Sequence, residues 1–320
     1  MVGPVAAAEV HPSEIRQNLF SACFTSETDG WVVGELGRIF HTPDGGRTFK
    51  RADAGTRAAF LSVACLPDGS IVVTGQKGLA MRSRDRGATW ERIDTGTKRD
   101  LLSVDFATAQ VGVAVGDFGT MIRTEDGGTT WSPVSLPTDF TLPEEAAEIV
   151  EPGDVLLYDV DFITADNGWI VGEFGTIFTT SDGGKTWAAQ KSGVETTLFG
   201  VNFANAQNGW ATGIEEVLLR TTDGGATWSQ QKVPNKSGFV LGLYDVAVQG
   251  QIGWAIGDSG LLLRSIDGGA TWTRVELPIE LAGNWFRGIG MTPGSGGIVV
   301  GSEGLILLTN GDQYRRLAGS

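Results

Sequence analysis

The chain consists of short runs in which apolar and polar residues alternate, separated by glycine, aspartate and asparagine. A representative stretch holds VLLYDVDF (155–162), GWIVGE (168–173), GTIFTT (175–180) and TWAAQKS (186–192). A period of two in β-branched and aromatic residues predicts strands, and the residues between the runs are those of tight turns. No helical period persists long enough to compete, so the pattern predicts an all-β fold.

The acidic turn of this stretch, TSDGGKTW (Thr180–Trp187), occurs six times with the consensus Ser/Thr-x-Asp-x-Gly-x-Thr-Trp/Phe. Successive aspartates are 41, 41, 56, 41 and 44 residues apart. A second phrase, built on two glycines three residues apart, precedes each turn and marks seven units, with Glu216 replacing the second glycine in the fifth. The seventh unit, from Trp285, has TNGDQY (Thr309–Tyr314) in place of the acidic turn. The aspartates of the six turns are Asp44, Asp85, Asp126, Asp182, Asp223 and Asp267.

Four strands in about 41 residues match one blade of a propeller. The repeats therefore predict a seven-bladed β-propeller over residues 18–320, with four antiparallel strands per blade and an insertion at about 135–154. Residues 1–17 are expected to form an N-terminal tail. An open β-solenoid is the alternative arrangement of such units.

The acidic turn is interpreted as structural. Its aspartate can accept backbone N–H groups of the turn, and its glycine supplies the positive φ that other residues resist. The aromatic residue that ends each copy is expected to pack between blades. One copy per blade favours a structural role over catalysis.

These residues resemble the Asp-box, or BNR, repeat. Together with the V-G-x-x-G-x-I phrase, they make the chain similar to bacterial relatives of the photosystem II stability/assembly factor family, whose members are seven-bladed propellers. The resemblance implies a non-enzymatic, exported or lumenal, chaperone-like factor that holds a membrane-protein subunit during assembly. It also implies an arginine-rich binding patch, for which the sequence offers no matching cluster. Asp boxes also occur in sialidases, xyloglucan hydrolases and sortilin-type receptors, so the repeat indicates fold more strongly than function.

Charge and composition limit the classes of partner that the sequence predicts and the compartment in which the chain acts. The net charge of −14 disfavours nucleic acid and favours cationic proteins or metal ions as partners. No run approaches the roughly 18 apolar residues of a membrane span. VAAAE near the start resembles the small-residue end of a signal peptide, which predicts export to a periplasm or lumen, with an ordinary terminus as the alternative.

The two cysteines, Cys23 and Cys65, lie on equivalent innermost strands but one position out of phase. We therefore expect two buried thiols without a disulfide. Two cysteines cannot close a zinc site by themselves.

Propeller topology places the turns between second and third strands on the same face as the connections between blades. On that face the sequence predicts a ring of acids, interrupted by Lys77, that would steer a basic partner. The alternative is that acids merely suit exposed turns. The predicted ring consists of Glu35, Asp117, Glu173, Glu215, Asp258 and Glu303.

The 56-residue interval adds SLPTDFTLPEEAAEIVEPGD (Ser135–Asp154) to the same face, and its PEEAAEIVE segment predicts a short acidic helical turn. Insertions in one loop of a repeat scaffold commonly carry binding residues. A surface loop without function is the alternative. The predicted contact residues are Phe140, Leu142, Glu144, Glu145 and Glu148.

Innermost strands bring four acids, Asp105, Asp159, Asp161 and Asp245, to the central channel. They are expected to be solvated or bonded to neighbouring strand ends, and a Ca²⁺ site is the alternative, without support from a tight ligand loop. Arginines that precede the acidic turn are interpreted as scaffold, and they are Arg82, Arg123, Arg220 and Arg264.

The enzyme alternatives find little support in the sequence. A sialidase needs a tyrosine nucleophile, but Tyr158 and Tyr244 occupy matching repeat positions and are interpreted as frame residues, and Tyr314 lies in the seventh turn. A glycoside hydrolase that uses the channel carboxylates is the alternative that spacing leaves open. The sequence thus predicts a protein-binding assembly factor for a membrane protein or membrane complex, monomeric when free, without cofactor or metal.

Overall fold

A computed structural model describes residues 8–234, 240–294, 296–311 and 313–317 of the chain. These residues form seven antiparallel sheets. In each sheet four strands pair in chain order from innermost to outermost, and the first sheet has an additional strand at its outer edge. Each innermost strand packs against that of the next blade, and the last packs against the first. The ring is therefore closed, and the prediction of a seven-bladed propeller is confirmed.

The innermost and second strands of the blades line and surround the channel. Innermost strands are β2 (Leu19–Phe24), β6 (Phe60–Cys65), β10 (Leu101–Phe106), β14 (Leu157–Phe162), β18 (Leu198–Phe203), β22 (Leu243–Gln249) and β26 (Phe286–Met291). Second strands are β3 (Gly30–Gly34), β7 (Ile71–Gly75), β11 (Gly112–Gly116), β15 (Gly168–Gly172), β19 (Gly209–Gly213), β23 (Ile252–Gly257) and β27 (Gly296–Gly301).

The third and outermost strands complete each blade. Third strands are β4 (Arg38–Thr42), β8 (Ala80–Ser83), β12 (Met121–Thr124), β16 (Thr176–Thr180), β20 (Leu218–Thr221), β24 (Leu262–Ser265) and β28 (Ile306–Asn310). Outermost strands are β5 (Phe49–Asp53), β9 (Glu91–Ile93), β13 (Ser132–Pro133), β17 (Ala188–Lys191), β21 (Ser229–Gln230), β25 (Thr273–Arg274) and β29 (Gln313–Arg316).

Helical structure in the described ranges is limited to the α-helix α1 (Glu144–Ala147) and short 3-10 turns. No helix in these ranges has the length and apolar character needed to cross a lipid bilayer. The 3-10 turns are Pro12–Glu14, Glu35–Gly37, Gln76–Gly78, Pro152–Asp154, Glu173–Gly175, Ile279–Leu281 and Ser302–Gly304.

The core lies between blades and not inside any one of them. Second strands such as β3 and β15 are buried along their whole length, because a neighbouring blade covers each of their two faces. Double coverage explains their nearly continuous apolar sequence, as in the fully buried Trp31 and Val32. Seven apolar clusters result, one for each junction between adjacent blades.

The Asp box of blade 4 shows why the acidic turn repeats. The hydroxyl groups of Thr180 and Thr186 donate to the two carboxylate oxygens of Asp182, at 2.8 and 2.6 Å. The backbone N–H of Thr186 donates to the same carboxylate at 3.0 Å, and that of Gly184 donates to Thr180 Oγ1 at 3.0 Å. Burial opposes ionisation, but these donors outweigh it and lower the pKa of Asp182 to about 2. The carboxylate thus holds the turn together, as predicted.

The other five Asp boxes repeat these bonds. In each, the first Ser or Thr hydroxyl donates to the aspartate at 2.7–3.0 Å, and so does the N–H of the residue four positions after the aspartate, at 2.8–2.9 Å. These bonds support the structural interpretation of the six aspartates, which stays a prediction.

The aromatic residue of each box packs into the junction with the preceding blade. Trp187 of blade 4 joins the cluster between blades 3 and 4, edge-on to Phe162 with 6.0 Å between ring centroids. In blade 7, which lacks the box, Tyr314 packs against the cluster with blade 6 and donates its hydroxyl to the backbone oxygen of Glu276 at 3.2 Å. Tyr314 thus takes over the packing role of the missing box aromatic.

Two of the repeated arginines connect neighbouring blades. Arg82 Nη1 donates to the backbone oxygen of Asp126 at 3.1 Å and to Thr129 Oγ1 at 2.9 Å, both in the next Asp box. Arg123 Nε donates to the backbone oxygen of Gly183 at 2.7 Å in the same way. These bonds support the scaffold role of Arg82 and Arg123.

The N-terminal segment belongs to blade 1. Strand β1 (Ala8–Val10) pairs antiparallel with β5 as a fifth, outermost strand, and Ile15 is only 2% exposed. Residues 8–17 are therefore part of the propeller and not the tail that the sequence led us to expect, while residues 1–7 lie outside the described ranges. Blade 7 is completed by β26 to β29 without a strand from this segment.

Cys23 and Cys65 form a disulfide between blades 1 and 2, with their Cα atoms 5.7 Å apart. The expectation of two free thiols is wrong. Alternate side chains of a strand point to opposite sides of the sheet, so two residues that face each other across a blade junction must differ by one position in the repeat. Both side chains pack against the cluster between blades 1 and 2. The difference of one repeat position therefore brings the two sulfur atoms to the same junction and allows the disulfide to form.

Candidate functional site

One face of the propeller carries the turns between second and third strands, and we call it the GxxG face. These turns lie beside the starts of the innermost strands, because the first turn residue donates its N–H to the residue before the strand. The N–H of Glu35 reaches the oxygen of Asn18 and that of Asp117 reaches the oxygen of Asp100, each at 3.0 Å. The connections between blades therefore end on the same face as the turns.

Four acids of the predicted ring occupy the first turn position and bend back toward the innermost strands. Three of them accept hydrogen bonds there. Glu35 Oε1 accepts from Asn18 Nδ2 at 2.8 Å, and Glu173 Oε2 accepts the N–H of Leu156 at 2.9 Å. The fourth acid, Asp117, has a raised pKa because of its burial and the nearby charge of Asp100. These four carboxyl groups are therefore half-buried, and three of them already accept hydrogen bonds from other residues of the chain.

Asp258 is the remaining acid at the first position. Its Oδ1 accepts the hydroxyl of Tyr244 at 2.7 Å. Burial and this hydrogen bond raise the pKa of Tyr244 to about 12. Asp258 therefore orients a tyrosine at the start of an innermost strand.

The other two acids, Glu215 and Glu303, occupy the second turn position and are exposed. All seven residues at this position have φ between 49° and 60°, a left-handed conformation that disfavours side chains. We call them the crown. Its members are Leu36, Lys77, Phe118, Phe174, Glu215, Ser259 and Glu303.

The crown mixes charge with apolar surface. Leu36 and Phe118 are 40% and 46% exposed, and the guanidinium carbon of Arg99 lies 3.9 Å from the ring centroid of Phe118. The predicted acidic ring is thus divided between two groups of acids, those at the first turn position and those in the crown. The exposed members of the crown are apolar (Leu36 and Phe118), acidic (Glu215 and Glu303), basic (Lys77) and polar (Ser259).

The insertion runs over the outer side of blades 3 and 4. Phe140 meets the ring of Phe178 edge-on at 5.0 Å, and Asp139 Oδ1 accepts the N–H of Ala189 at 3.4 Å. Phe140 and Leu142 pack against the cluster between these blades, so part of their apolar surface is used within the chain.

The remainder of the insertion is exposed. Helix α1 is the predicted acidic turn, and its residues Glu144 and Glu145 are exposed, as is Glu148 after it. Ile149 is 81% exposed beside them. The insertion thus presents a group of exposed acids, which also includes Glu151 and Asp154, together with the apolar side chain of Ile149.

The channel mouth on the GxxG face is lined by one residue from each blade. The register of every innermost strand shifts after its first residue, which leaves the second residue as a β-bulge. All seven bulge side chains are half-buried around the axis, and we call them the collar. Its members are Phe20, Leu61, Leu102, Tyr158, Phe199, Tyr244 and Arg287.

Below the collar, side chains of the innermost strands bond from blade to blade. Asp105 Oδ2 accepts the N–H of Phe162 at 2.7 Å, and Asp161 Oδ2 accepts that of Phe203 at 2.7 Å. Asp159 and Asp245 likewise accept N–H groups of the following blade, from Val201 at 2.9 Å and Ile289 at 2.8 Å. The expectation that these acids bond to neighbouring strands is confirmed.

Ionisation of these carboxyls is unfavourable. Protein surrounds them and the narrow channel gives them little solvent, so burial raises the pKa of Asp105 and Asp159 to about 6 and that of Asp245 to about 8. Burial, reinforced by the charge of Asp105, also places the pKa of Asp161 well above its usual value. No cluster of three or more His, Cys, Asp or Glu side chains in the described ranges is arranged to hold a metal ion.

Comparison with known proteins identifies the family. The profile of the photosynthesis system II assembly factor YCF48 matches residues 7–100, 141–196 and 186–314. The chain belongs to the YCF48 family. No curated protein matches the sequence.

Solved structures of YCF48 proteins have the same fold. YCF48 from Cyanidioschyzon merolae is 22% identical over 95% of this chain and 99% of its own, with a TM-score of 0.72. YCF48 bound to a D1 peptide is 18% identical over 96% of both chains, also with a TM-score of 0.72. A GH74 xyloglucanase from Xanthomonas campestris reaches 0.71 at 16% identity, covering 98% of this chain and 56% of its own. At these identities the likeness shows the fold alone.

Sequence reasoning missed the collar of this YCF48-family chain. Tyr158 and Tyr244 were correctly matched as repeat equivalents but interpreted as frame residues, whereas both line the channel mouth. Phe20 and Arg287 occupy the same position in their blades but were not predicted as site residues. A sequence signal for the collar does exist. The second residue of each innermost strand, just before a Ser, Asp or Gly that faces the channel, has a large side chain in all seven units.

Proposed function

We propose that this chain is a protein-binding assembly factor for a membrane protein or membrane complex, and that it acts without catalysing a reaction. The crown and the exposed part of the insertion form the contact surface. Family membership supports the role, as does the solved relative that binds a D1 peptide.

The crown is the observation that carries the choice of surface. Glycine would fit its left-handed positions without strain, yet all seven carry side chains, each at a cost of about 1–2 kcal/mol. Strained backbone conformations concentrate at functional sites, because selection for function retains residues that lower the stability of the fold. The exposed apolar side chains of Leu36, Phe118 and Ile149 suit apolar residues of a partner segment. Exposed Glu215 and Glu303, on other blades of the same face, suit its basic residues.

The absence of catalysis is part of the proposal. The channel carboxyls on which a glycoside hydrolase would depend accept backbone N–H groups of neighbouring blades. Their positions are thereby explained by the closure of the ring, and no observation favours hydrolysis.

Export to a periplasm or lumen is also part of the proposal. The Cys23–Cys65 disulfide supports it, since such bonds persist in oxidising compartments and are rare in reducing ones.

A binding assay tests the surface. The D1 peptide, which one relative binds, and detergent-solubilised candidate membrane subunits serve as ligands for the full chain and its variants. Replacing Leu36 and Phe118 by serine and Glu303 by glutamine should weaken binding about tenfold or more. The matched control is Ile266→Ser, a 59% exposed residue of an Asp box on the opposite face. Full binding by the triple variant, with an unchanged melting temperature, would refute the assigned surface.

A further inference from the structure

A cavity of about 250 Å³ lies on the propeller axis, inside the collar. Its size falls just below the roughly 300–1,000 Å³ typical of small-molecule pockets, which suits a group about as large as one amino acid. It is separate from the crown, because its walls come from innermost strands and not from the turns. The cavity therefore offers a half-open site at the channel mouth that the proposed contact surface does not use.

Most of the cavity wall is apolar or aromatic. Tyr158 meets Phe199 edge-on at 4.8 Å, and Phe199 meets Tyr244 at 5.3 Å, so three successive blades form a continuous aromatic wall. Leu61 and Leu102 provide the opposite, aliphatic side. Such walls hold the apolar body of a ligand by excluding water from it.

Arg287 is the single charged member of the collar. Its guanidinium carbon lies 5.0 Å from the ring centroid of Tyr244 and 5.4 Å from that of Phe199. The guanidinium thus lies near both rings, and its charge also acts on Asp245. None of its N–H groups has a hydrogen-bond or ion-pair partner in the described part of the chain. A half-buried guanidinium with unused donors attracts a carboxylate, which it can bind through two parallel bonds.

Serine hydroxyls supply further donors in the layer below the collar. Ser21 Oγ and Ser62 Oγ accept the N–H groups of Val63 and Val104, at 3.3 and 3.2 Å. Because those bonds use the oxygen lone pairs, the hydroxyl protons remain to be donated to a ligand. Both serines line the cavity.

The acids beside the cavity do not offer a cation site. Both oxygens of Asp159 already accept hydrogen bonds, from the Ser103 hydroxyl at 2.7 Å and the Val201 N–H at 2.9 Å. Both oxygens of Asp245 accept backbone N–H groups as well. With both oxygens of each acid occupied, the donors that remain in the cavity are those of Arg287 and the serine hydroxyls.

We propose that the channel mouth binds an apolar group that ends in a single carboxylate and has about the size of one amino acid residue. The collar holds the apolar part, and Arg287 with the serine hydroxyls holds the carboxylate. This chemistry is found both in the C-terminal residue of a protein chain and in a free aromatic or branched organic acid. The site stands apart from the proposed function, since binding here requires neither the crown nor the insertion.

Calorimetric titration of the full chain with paired probes tests the site. One pair is 3-phenylpropanoate and its neutral amide, and the other is an acetylated tripeptide ending in phenylalanine, as free carboxylate and as amide. A carboxylate probe should bind about tenfold or more tightly than its amide, since a charge-assisted hydrogen bond is lost. Preference for the free acid or for the peptide identifies the source of the natural ligand.

Two variants make the titration decisive. Arg287→Gln should abolish the preference for carboxylate over amide, whereas Arg315→Gln, which changes an exposed arginine outside the channel, should retain it. Equal binding of carboxylate and amide, or no binding of either pair to the wild-type chain, overturns the proposal. Loss of crown-dependent partner binding would leave this result unaffected, so the two proposals fail separately.

Discussion

Asp159 Oδ2 accepts the backbone N–H of Val201 at 2.9 Å, across the junction between blades 4 and 5. The same relationship recurs from Asp161 to Phe203 and from Asp245 to Ile289. Around the channel, side chains of one blade thus satisfy backbone donors of the next. The bonds hold neighbouring blades together, but they also keep carboxyl groups in surroundings that disfavour their charge.

The free energy of unfolding should therefore decrease as pH rises from weakly acidic to weakly alkaline. Burial raises the pKa of Asp159 to about 6 and of Asp245 to about 8, from 3.8. Groups with a raised folded-state pKa stabilise the fold fully below about pH 4, and this contribution is lost as pH rises through 6 and 8. Urea unfolding between pH 4 and 9 measures the decrease.

Asp245→Asn should flatten that decrease above pH 6, because the amide keeps an acceptor for Ile289 N–H and cannot ionise. Glu148→Gln, an exposed acid of the insertion, should leave the profile unchanged. An Asp245→Asn profile as steep as that of the wild-type chain between pH 7 and 9 would contradict the assignment.

The Asp boxes should have the opposite pH dependence. Hydrogen bonds to the carboxylate, against the effect of burial, lower the pKa of Asp182 to about 2 from 3.8. A lowered folded-state pKa stabilises the fold above about pH 4, and the contribution is lost as pH falls toward 2. Together with the channel acids, the boxes predict maximal stability near pH 4.

Asp182→Ala should lower the free energy of unfolding by about 1–2 kcal/mol at neutral pH, since several donors of an exposed turn lose their acceptor. Chemical denaturation measures the loss, and Glu145→Ala serves as a control in an exposed acid. A change of less than about 0.5 kcal/mol would show that the turn forms without its carboxylate.

Reduction of the Cys23–Cys65 disulfide should destabilise the chain by about 2–4 kcal/mol, because the bond closes a loop across a sequence separation of 42 residues. Thermal unfolding with and without reductant measures the shift. The Cys23→Ala/Cys65→Ala variant should melt at the temperature of the reduced wild-type chain and be insensitive to reductant. Equal melting temperatures of oxidised and reduced wild-type chain would contradict the prediction.

Gly288→Ala should open the junction between blades 7 and 1. An added Cβ would lie 2.5 Å from the backbone oxygen of Phe20 and 2.9 Å from the Cα of Ser21, so the two innermost strands must separate. We expect a loss of about 1–3 kcal/mol, typical of overpacking. Gly283→Ala, where an added Cβ meets no atom within 4 Å, is the matched control and should be nearly neutral.

The fold could be predicted because each of its signals is local and repeated. Residues such as Asp182 and Gly184 favour a tight turn. Because the same turn recurs in six blades, it can be recognised from the sequence without knowledge of distant contacts. Strand boundaries followed from the same turns. The family followed from the combination of both repeated phrases.

The site was harder to predict because neighbouring turn positions differ in direction. Glu35 and Glu303 were assigned to one ring, but the first position bends back to cap a strand while the second points outward. Likewise, the collar depends on a β-bulge that turns Tyr158 and Arg287 toward the axis. A bulge changes which way a side chain points without changing the sequence pattern around it.

The seam between blades 7 and 1 is held differently from the junction beside it. Strand β1 pairs with blade 1 and β29 completes blade 7, so no strand at either end of the described chain bridges this seam. Apolar packing, the close approach at Gly288 and hydrogen bonds such as that from the Glu303 N–H to Asn18 Oδ1 at 2.9 Å hold it without a covalent link. The next junction, between blades 1 and 2, is crossed by the continuous chain and cross-linked by Cys23 and Cys65. Under force or denaturant, rupture should begin at the unlinked seam and convert the ring into an open arc whose first two blades stay together.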